Sequence, residues 1–503
     1  MQPRPPQLLL AHGLEAYDAG RWDQAAALLG EFVERYERHP RCKKMLPVLG
    51  SAQVRAGRPD DAAATLARAL EDDPGNADLL ELLGHALRLG GRRGEAVEAY
   101  RRCLAAGPDD PMGTKAALAE VHLRLGQLDE ADAIMREADS AGVSHPRLDL
   151  VRGLISLRTG EGRADAIARL EAHRAEEGLA DDLCPALFSA LGDLLDAEGR
   201  YGEAWASYEA ANECPADAFR PEVYESQMSD IIGAWTPELV RRLQRWGDAS
   251  ARPVLIVGTP RSGTTMTELL IARHPGVARG GELRTLSDIV HAMPGRVGGP
   301  LHKRAGALGE GDLRRASGEY LAALEAISPD AARVTDKMPM NLLQLGLFAA
   351  MFPNGHVVHC RRDPRDACLS CYFRFFFQEH PWSKRLDWVA AFYRQYVRLM
   401  DHWRAVLGEV GSPRMLEIRY EDAVADPDGW TRRLGEFVGV GGAAVAPARQ
   451  SAADAPTLRA DQVGKGIYTS SAGKHERYAA HLGVLYGALG DLVEAYERRD
   501  GEE

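Results

Sequence analysis

Residues 254–270 read VLIVGTPRSGTTMTELL, and their reading decides the second half of the chain. Val254 to Val257 form an apolar run of the kind found in a buried strand. Gly258 to Gly263 read as a tight turn and Thr264 to Ile271 as the start of a helix, an order that makes a phosphate-binding loop. A nucleotide triphosphatase would carry Gly-x-x-x-x-Gly-Lys-Ser/Thr here. Both glycines stand at the right spacing, but Thr264 takes the lysine's place and Arg261 sits inside the loop. The N–H groups of Ser262, Gly263 and Thr264, backed by the helix N-terminus, are expected to meet a tetrahedral anion. Arg261 adds a planar cationic fork. Taken alone, PRSGTT also reads as a plain glycine turn before a helix.

A second segment strengthens the anion reading. Residues 356–376, HVVHCRRDPRDACLSCYFRFF, end another strand and begin another helix, with Arg361, Arg362 and Arg365 at the junction. Ser370 and Arg374 are four apart, so on a helix running to residue 376 they share a face. Strands are expected at 254–258, 356–360 and 415–419, followed by helices at 264–272, 364–376 and 427–438. Parallel strands with crossover helices follow from that order, and ligands in such sheets lie beyond the carboxyl ends of the strands. Two anion sites on one sheet suggest a nucleotide phosphorylated at two separated places.

The chain has 503 residues, enough for two or three domains, with the 45% hydrophobic and 27% charged composition of a soluble globular protein. Residues 1–250 hold 29 Lys and Arg against 43 Asp and Glu, whereas the remainder holds 32 against 30. Neither half has a large basic excess, which disfavours a nucleic-acid partner. The opening MQPRPPQLLLAHGLEAYDAG has too short an apolar run for a secretory signal, and no stretch suits a membrane span. Seven cysteines at scattered spacings suggest no disulfide framework, so a reducing cytoplasm is expected. Cys368-x-x-Cys371 lacks a second Cys or His pair and reads as helix core rather than a metal or redox site.

The first 220 residues repeat. Gly50 and Gly84 are 34 apart, as are Ala62 and Ala96, and Pro74 and Pro108. A small residue precedes an alanine by twelve positions at Gly13/Ala25, Gly50/Ala62, Gly84/Ala96, Ala119/Ala131 and Gly192/Ala204, with one extra residue at Gly153/Ala166. Small residues let two antiparallel helices approach closely, and a proline ends the second. The pattern resembles the tetratricopeptide repeat (TPR) family, with about six units over residues 7–218, the fifth (150–173) being the most irregular. Such arrays stack into a superhelix whose groove holds a peptide or protein, or else they pack against a neighbouring domain. Residues 219–252 read as a helical connector with breaks at Pro221 and Pro237.

Residues 253–490 resemble the sulfotransferases, in particular their tyrosylprotein and TPR-containing branch, and 491–503 form a tail. The resemblance implies an α/β P-loop-like domain with a central parallel sheet, which uses 3′-phosphoadenosine 5′-phosphosulfate (PAPS) as co-substrate and no metal. Arg261, Ser262, Gly263, Thr264 and Thr265 then fall on the 5′-phosphosulfate loop, and Arg362, Ser370 and Arg374 on the 3′-phosphate segment. GGELR (280–284) places Glu282 on the family's catalytic base, and TDKMPMN (335–341) places Lys337 on the lysine that assists transfer. IRYED (418–422) puts Tyr420 on an adenosine contact, and DQVGKGIYTSSAGK (461–474) puts Lys465 and Lys474 in a segment that closes over the nucleotide.

Two departures bear on the substrate. Arg459 stands where the family usually carries a serine, and Asp288 where the tyrosylprotein branch has a second arginine gripping acidic peptides. The expected activity is sulfuryl transfer to a protein, saccharide or small-molecule hydroxyl. The competing readings are a repeat scaffold that binds the nucleotide without transferring, and a P-loop kinase or NTPase variant. The variant would need the missing lysine.

Overall fold

The computed structural model describes residues 4–140, 142, 144–175, 179, 183–214, 219–293, 300–374, 376, 380–441 and 472–498. The chain divides into two compact units, Met1–Gly178 and Leu179–Glu503.

The first unit consists of helices paired in sequence, from α1 (Pro6–Asp18) and α2 (Trp22–Arg35) to α9 (Pro146–Thr159) and α10 (Arg163–Ala172), ten α-helices among the described residues. The repeating small residues are the contact points. A Cβ on Gly13 would lie 2.8 Å from Leu29, one on Gly50 2.7 Å from Leu66, and one on Gly84 2.7 Å from Tyr100. Each glycine therefore faces a large residue sixteen positions on, across an antiparallel pair. The partner alanines Ala25, Ala62 and Ala96 are fully buried.

The second unit begins with one more pair of this kind, α11 (Leu183–Ala197) and α12 (Tyr201–Glu213), in which Gly192 faces Tyr208. The repeat pattern thus reads on to residue 218 while the compact units divide at 178. Cys184 and Cys214 form a disulfide across this pair, contrary to the expectation from spacing. Thirty residues apart in sequence, they stand at the open end of an antiparallel hairpin, where the start of one helix meets the end of the next. Next come α13 (Pro221–Ala234) and α14 (Pro237–Gln244), each with proline at its first turn, where the missing N–H leaves nothing unpaired.

Five parallel strands follow: β1 (Pro253–Gly258), β2 (Val277–Arg279), β3 (Arg333–Asp336), β4 (His356–Arg361) and β5 (Arg414–Arg419). Their order in the sheet is β2-β3-β1-β4-β5. The intervening helices are α15 (Thr264–Ile271), α16 (Thr285–Ala292), α17 (Glu310–Ile327), α18 (Leu345–Met351), α19 (Pro364–Tyr372) and α20 (Leu386–Val410). The C-terminal part adds α21 (Tyr420–Ala425), α22 (Pro427–Phe437), a 3-10 segment (Lys474–His481) and α23 (Gly483–Glu497). Val254, Ile256, Val358 and Ile418 pack with Leu270, Ile271 and Leu434 of α15 and α22 on one face, while Leu255 and Val257 are buried on the other. Burial on both faces explains the unbroken apolar run of β1. Among the described residues no helix is long and apolar enough to cross a membrane.

Candidate active site

From β1 the chain travels to one side of the sheet, toward β2, and from β4 to the other, toward β5. The crevice therefore opens between the carboxyl ends of β1 and β4, where connections diverge. Every strand ends within three residues of a predicted site residue: Arg261 after β1, Glu282 after β2, Lys337 after β3, Arg362 after β4 and Tyr420 after β5.

The glycine turn is held from within. Ser262 donates to the carbonyl of Thr259 with its N–H at 3.2 Å and its Oγ at 2.8 Å. This corrects one expectation: Ser262 builds the turn, and its N–H is spent there. Gly263, Thr264 and Thr265 remain as the residues that could offer N–H donors to an anion, at the first turn of α15, where a helix leaves N–H groups without intrahelical acceptors. Arg261 and Gly263 adopt positive φ, 72° and 96°. A Cβ on Gly258 would lie 2.6 Å from the carbonyl of Cys360, so only glycine lets the turn leave the sheet this close to β4.

The two basic segments, expected as separated pockets, share a wall. Arg261 Nε donates to Ser370 Oγ at 3.0 Å, and Arg362 Nη1 donates to the Arg261 carbonyl at 3.0 Å. Arg362 is 5% exposed, with its guanidinium 4.9 Å from the centre of the Tyr420 ring and 3.8 Å from Asp366. The Tyr420 ring in turn lies against Gly263, where a Cβ would come within 2.7 Å of it. Cys371 Sγ donates to the Pro260 carbonyl, and burial pushes this thiol up to about 12. The Cys368/Cys371 pair thus packs α19 under the loop, and no group of three metal-ligating side chains occurs among the described residues.

Arg374 does not share a helical face with Ser370. The helix α19 ends at Tyr372, two residues before it. The cause is packing on α12: the Tyr372 ring stacks on Trp205 at 5.3 Å and the Phe373 ring on Tyr208 at 3.8 Å. Lys474 pairs with Asp196 of α11 at 2.9 Å and lies over the Phe373 ring, outside the group that converges on the glycine turn. Its segment is instead anchored through backbone: Asp366 accepts from the N–H of Gly473 at 2.7 Å and of His475 at 2.9 Å. Lys465 and Arg459 lie outside the described residues.

Across β3, Lys337 Nζ donates to Glu282 Oε1 at 2.5 Å. The lysine side chain is fully buried and the carboxylate 36% exposed, so the acid faces out with the ammonium behind it. The Lys337 N–H donates to the Gly281 carbonyl at 2.7 Å, which clamps the glutamate loop to β3. Asp336, just before the lysine, is buried; Tyr320 OH (2.7 Å) and Asn341 Nδ2 (3.1 Å) donate to it. Burial raises its carboxyl to about 7 despite those donors. Sequence reasoning passed over three buried acids here, Glu268, Asp336 and Asp366. Only Glu268 stood out as a charge among apolar neighbours; Asp336 and Asp366 sit beside Lys337 and Arg365, where an acid reads as ordinary.

A crystal structure of the sulfotransferase STF9 from Mycobacterium avium aligns with 67% of this chain and 97% of its own, at 14% identity and a TM-score of 0.30. An uncharacterized protein of Aquifex aeolicus is 30% identical over 304 residues, 58% of this chain and 39% of the relative. A protein-tyrosine sulfotransferase of Drosophila melanogaster is 24% identical over 246 residues, 46% of this chain and 44% of the relative. The chain spans half or less of the length of these curated relatives. Residues 10–46 and 48–111 match the tetratricopeptide repeat model, and residues 253–441 match that of the sulfotransferase family. The chain thus carries tetratricopeptide repeats followed, over residues 253–441, by a domain of the sulfotransferase family.

Proposed function

We propose that the second unit moves a sulfuryl group from PAPS to a hydroxyl acceptor, with Glu282 as general base. The observation that carries this reading is the contact chain Ser370–Arg261–Arg362–Tyr420 at the switch point of the sheet. The donor set suits a phosphorylated nucleotide: two guanidiniums, a hydroxyl and a helix N-terminus meet, and residues 259–263 hold no carboxylate. Gly263, with no Cβ, lets the Tyr420 ring pack directly on the turn, which brings the ring beside the loop's backbone N–H groups.

Arg362 and Ser370 would hold the 3′-phosphate, and Arg261 with Gly263, Thr264 and Thr265 the 5′-phosphosulfate, with Tyr420 beside the adenosine. When bound, PAPS supplies a sulfuryl group on a phosphate leaving group. Charge then develops on oxygens that fixed cations and N–H groups can stabilise without reorganising. A hydroxyl must shed its proton as it attacks, and the outward-facing Glu282 is the group suited to take it. Lys337 holds that carboxylate in place from behind. The repeats are assigned to recruiting the acceptor, whose class is a protein, saccharide or small-molecule hydroxyl.

Calorimetry with 3′-phosphoadenosine 5′-phosphate tests the nucleotide half. Binding should require the 3′-phosphate, persist without Mg²⁺ and weaken sharply in Arg362→Ala. Binding that instead needs Mg²⁺ and ignores the 3′-phosphate would point to a nucleotide triphosphatase. Incubating radiolabelled PAPS with cell extract tests transfer, since an acceptor should be labelled by the wild-type chain and not by Glu282→Gln. Equal labelling by both removes Glu282 from the chemistry.

A further inference from the structure

We infer that Glu268 is a positioning residue that sets the Glu282–Lys337 pair against the phosphate-binding helix. The inference rests on the sulfuryl-transfer reading of the same site. Glu268 lies on α15, one turn after Thr264, and is 1% exposed. Its Oε1 accepts from the N–H of Gly281 at 3.0 Å and from Thr335 Oγ1 at 2.8 Å, and its Oε2 lies 3.5 Å from Arg279 Nη2.

Those three partners belong to the two segments that bear the catalytic pair. Gly281 immediately precedes Glu282, and Thr335 is two residues before Lys337. Gly281 also accepts from the Lys337 N–H, and Gly280 donates to the Thr335 carbonyl at 3.0 Å. A Cβ on Gly280 would lie 2.2 Å from that carbonyl, so the paired glycines let the base loop run hard against β3. One carboxylate therefore joins the helix that faces the anion, the loop that bears the base and the strand that bears the lysine.

A buried charge is a poor device for stability alone. Burying an ion pair costs several kcal/mol in desolvation, and an apolar residue of similar volume often serves packing as well or better. What the carboxylate supplies is directional: two acceptor bonds fix the height and rotation of a loop that must present Glu282 within a fraction of an ångström of its working position.

Glu268→Met keeps the volume and removes both acceptors, whereas Glu268→Gln keeps one oxygen for Gly281 and Thr335. Thr335→Val deletes the hydroxyl's bond to Glu268, along with the longer one it accepts from the Gly280 N–H at 3.3 Å, and stands in if Glu268→Met does not fold. Hydrogen–deuterium exchange on the nucleotide-free full-length chain should show residues 279–284 exchanging about tenfold faster or more in Glu268→Met, with residues 253–258 unchanged. In the transfer assay kcat should fall about 30-fold or more, while 3′-phosphoadenosine 5′-phosphate affinity stays within about threefold. Glu268→Gln should stay within about fivefold of wild type in kcat. Exchange that rises across the whole sheet, or loss of transfer that tracks loss of nucleotide binding, overturns the positioning role. Faster exchange at 279–284 with unchanged kcat overturns it equally. A wild-type chain that neither binds the nucleotide nor transfers would strike down the sulfuryl-transfer reading and this inference with it. That outcome is recognised before any variant is made.

Discussion

Arg261 Nε donates to Ser370 Oγ across 3.0 Å, joining the turn after β1 to the helix after β4, 109 residues away. Arg362 closes the same ring by donating to the Arg261 carbonyl. An anion bound here meets a prearranged donor set rather than two independent pockets. Hydrogen bonds to charged groups contribute about 1.5–3 kcal/mol, so Arg362→Ala should weaken 3′-phosphoadenosine 5′-phosphate binding by about 10- to 100-fold. Ser370→Ala, losing a neutral donor–acceptor pair, should weaken it by about three- to tenfold. Calorimetry at two salt concentrations checks both, and an unaltered affinity in Arg362→Ala removes the nucleotide from this crevice.

The short contact between Lys337 and Glu282 separates two kinds of defect. Glu282→Gln keeps a hydrogen-bond acceptor for the buried ammonium, so the fold should hold while proton transfer is lost. A fall in kcat of about 10²–10⁴ is expected, with nucleotide affinity within about threefold. Under the proposed reaction, Lys337→Met removes the cation that holds Glu282 and balances developing charge, and should lower kcat by about 10²–10³. Single-turnover kinetics distinguishes these from slowed product release. Full activity in Lys337→Met would leave the lysine a structural part only.

Some of this site was legible in the chain and some was not, for physical reasons. The strand β1 announces itself because both faces are covered, which makes it apolar throughout; β4 is covered as fully but carries buried His356 and His359 around Val357 and Val358. β2 and β3 are three and four residues long, Val-Ala-Arg and Arg-Val-Thr-Asp, too short and too polar for any periodicity to show. The glycines of the helical pairs were readable because each faces a bulky residue at a constant offset. Arg374 was misplaced because an aromatic pair, Tyr372 and Phe373, turns onto α12 and ends the helix early, a tertiary event with no local signal. Glu268 had a faint one: a lone acid in TTMTELLI, on a helix that must be buried behind a phosphate loop.

Gly263 is constrained twice over. Its φ of 96° lies outside what L-residues adopt readily, and a Cβ would meet Cδ2 of Tyr420 at 2.7 Å. Gly263→Ala should destabilise the second unit by about 1–3 kcal/mol and weaken nucleotide binding more than tenfold. Combining it with Tyr420→Ala relieves the clash but not the backbone strain, so stability should recover only in part. Chemical denaturation and calorimetry on the three variants decide this. Complete recovery in the double variant would show that the backbone conformation carries no penalty.

Asp336 makes the pH dependence of folding testable one group at a time. Its carboxyl titrates near 7 in the folded chain, above the ordinary value of 3.8, chiefly through burial. A raised carboxyl means the folded state holds a proton that the unfolded chain has released between about pH 4 and 7. Stability from this group is therefore fully present below about pH 4, falls as pH rises through 7 and is level above it. Asp336→Asn keeps an oxygen to accept from Tyr320 and Asn341 and has no proton to lose. The variant should gain on the wild type by about 2–3 kcal/mol between pH 5 and pH 8, since two pH units at 1.36 kcal/mol each are lost by the acid alone. Because every other titrating group is common to both chains, the difference between their urea unfolding curves isolates Asp336. A difference that does not move with pH means the acid is already ionised in the folded chain. In that case the Lys337 ammonium next to it in sequence, rather than a shared proton, balances its charge.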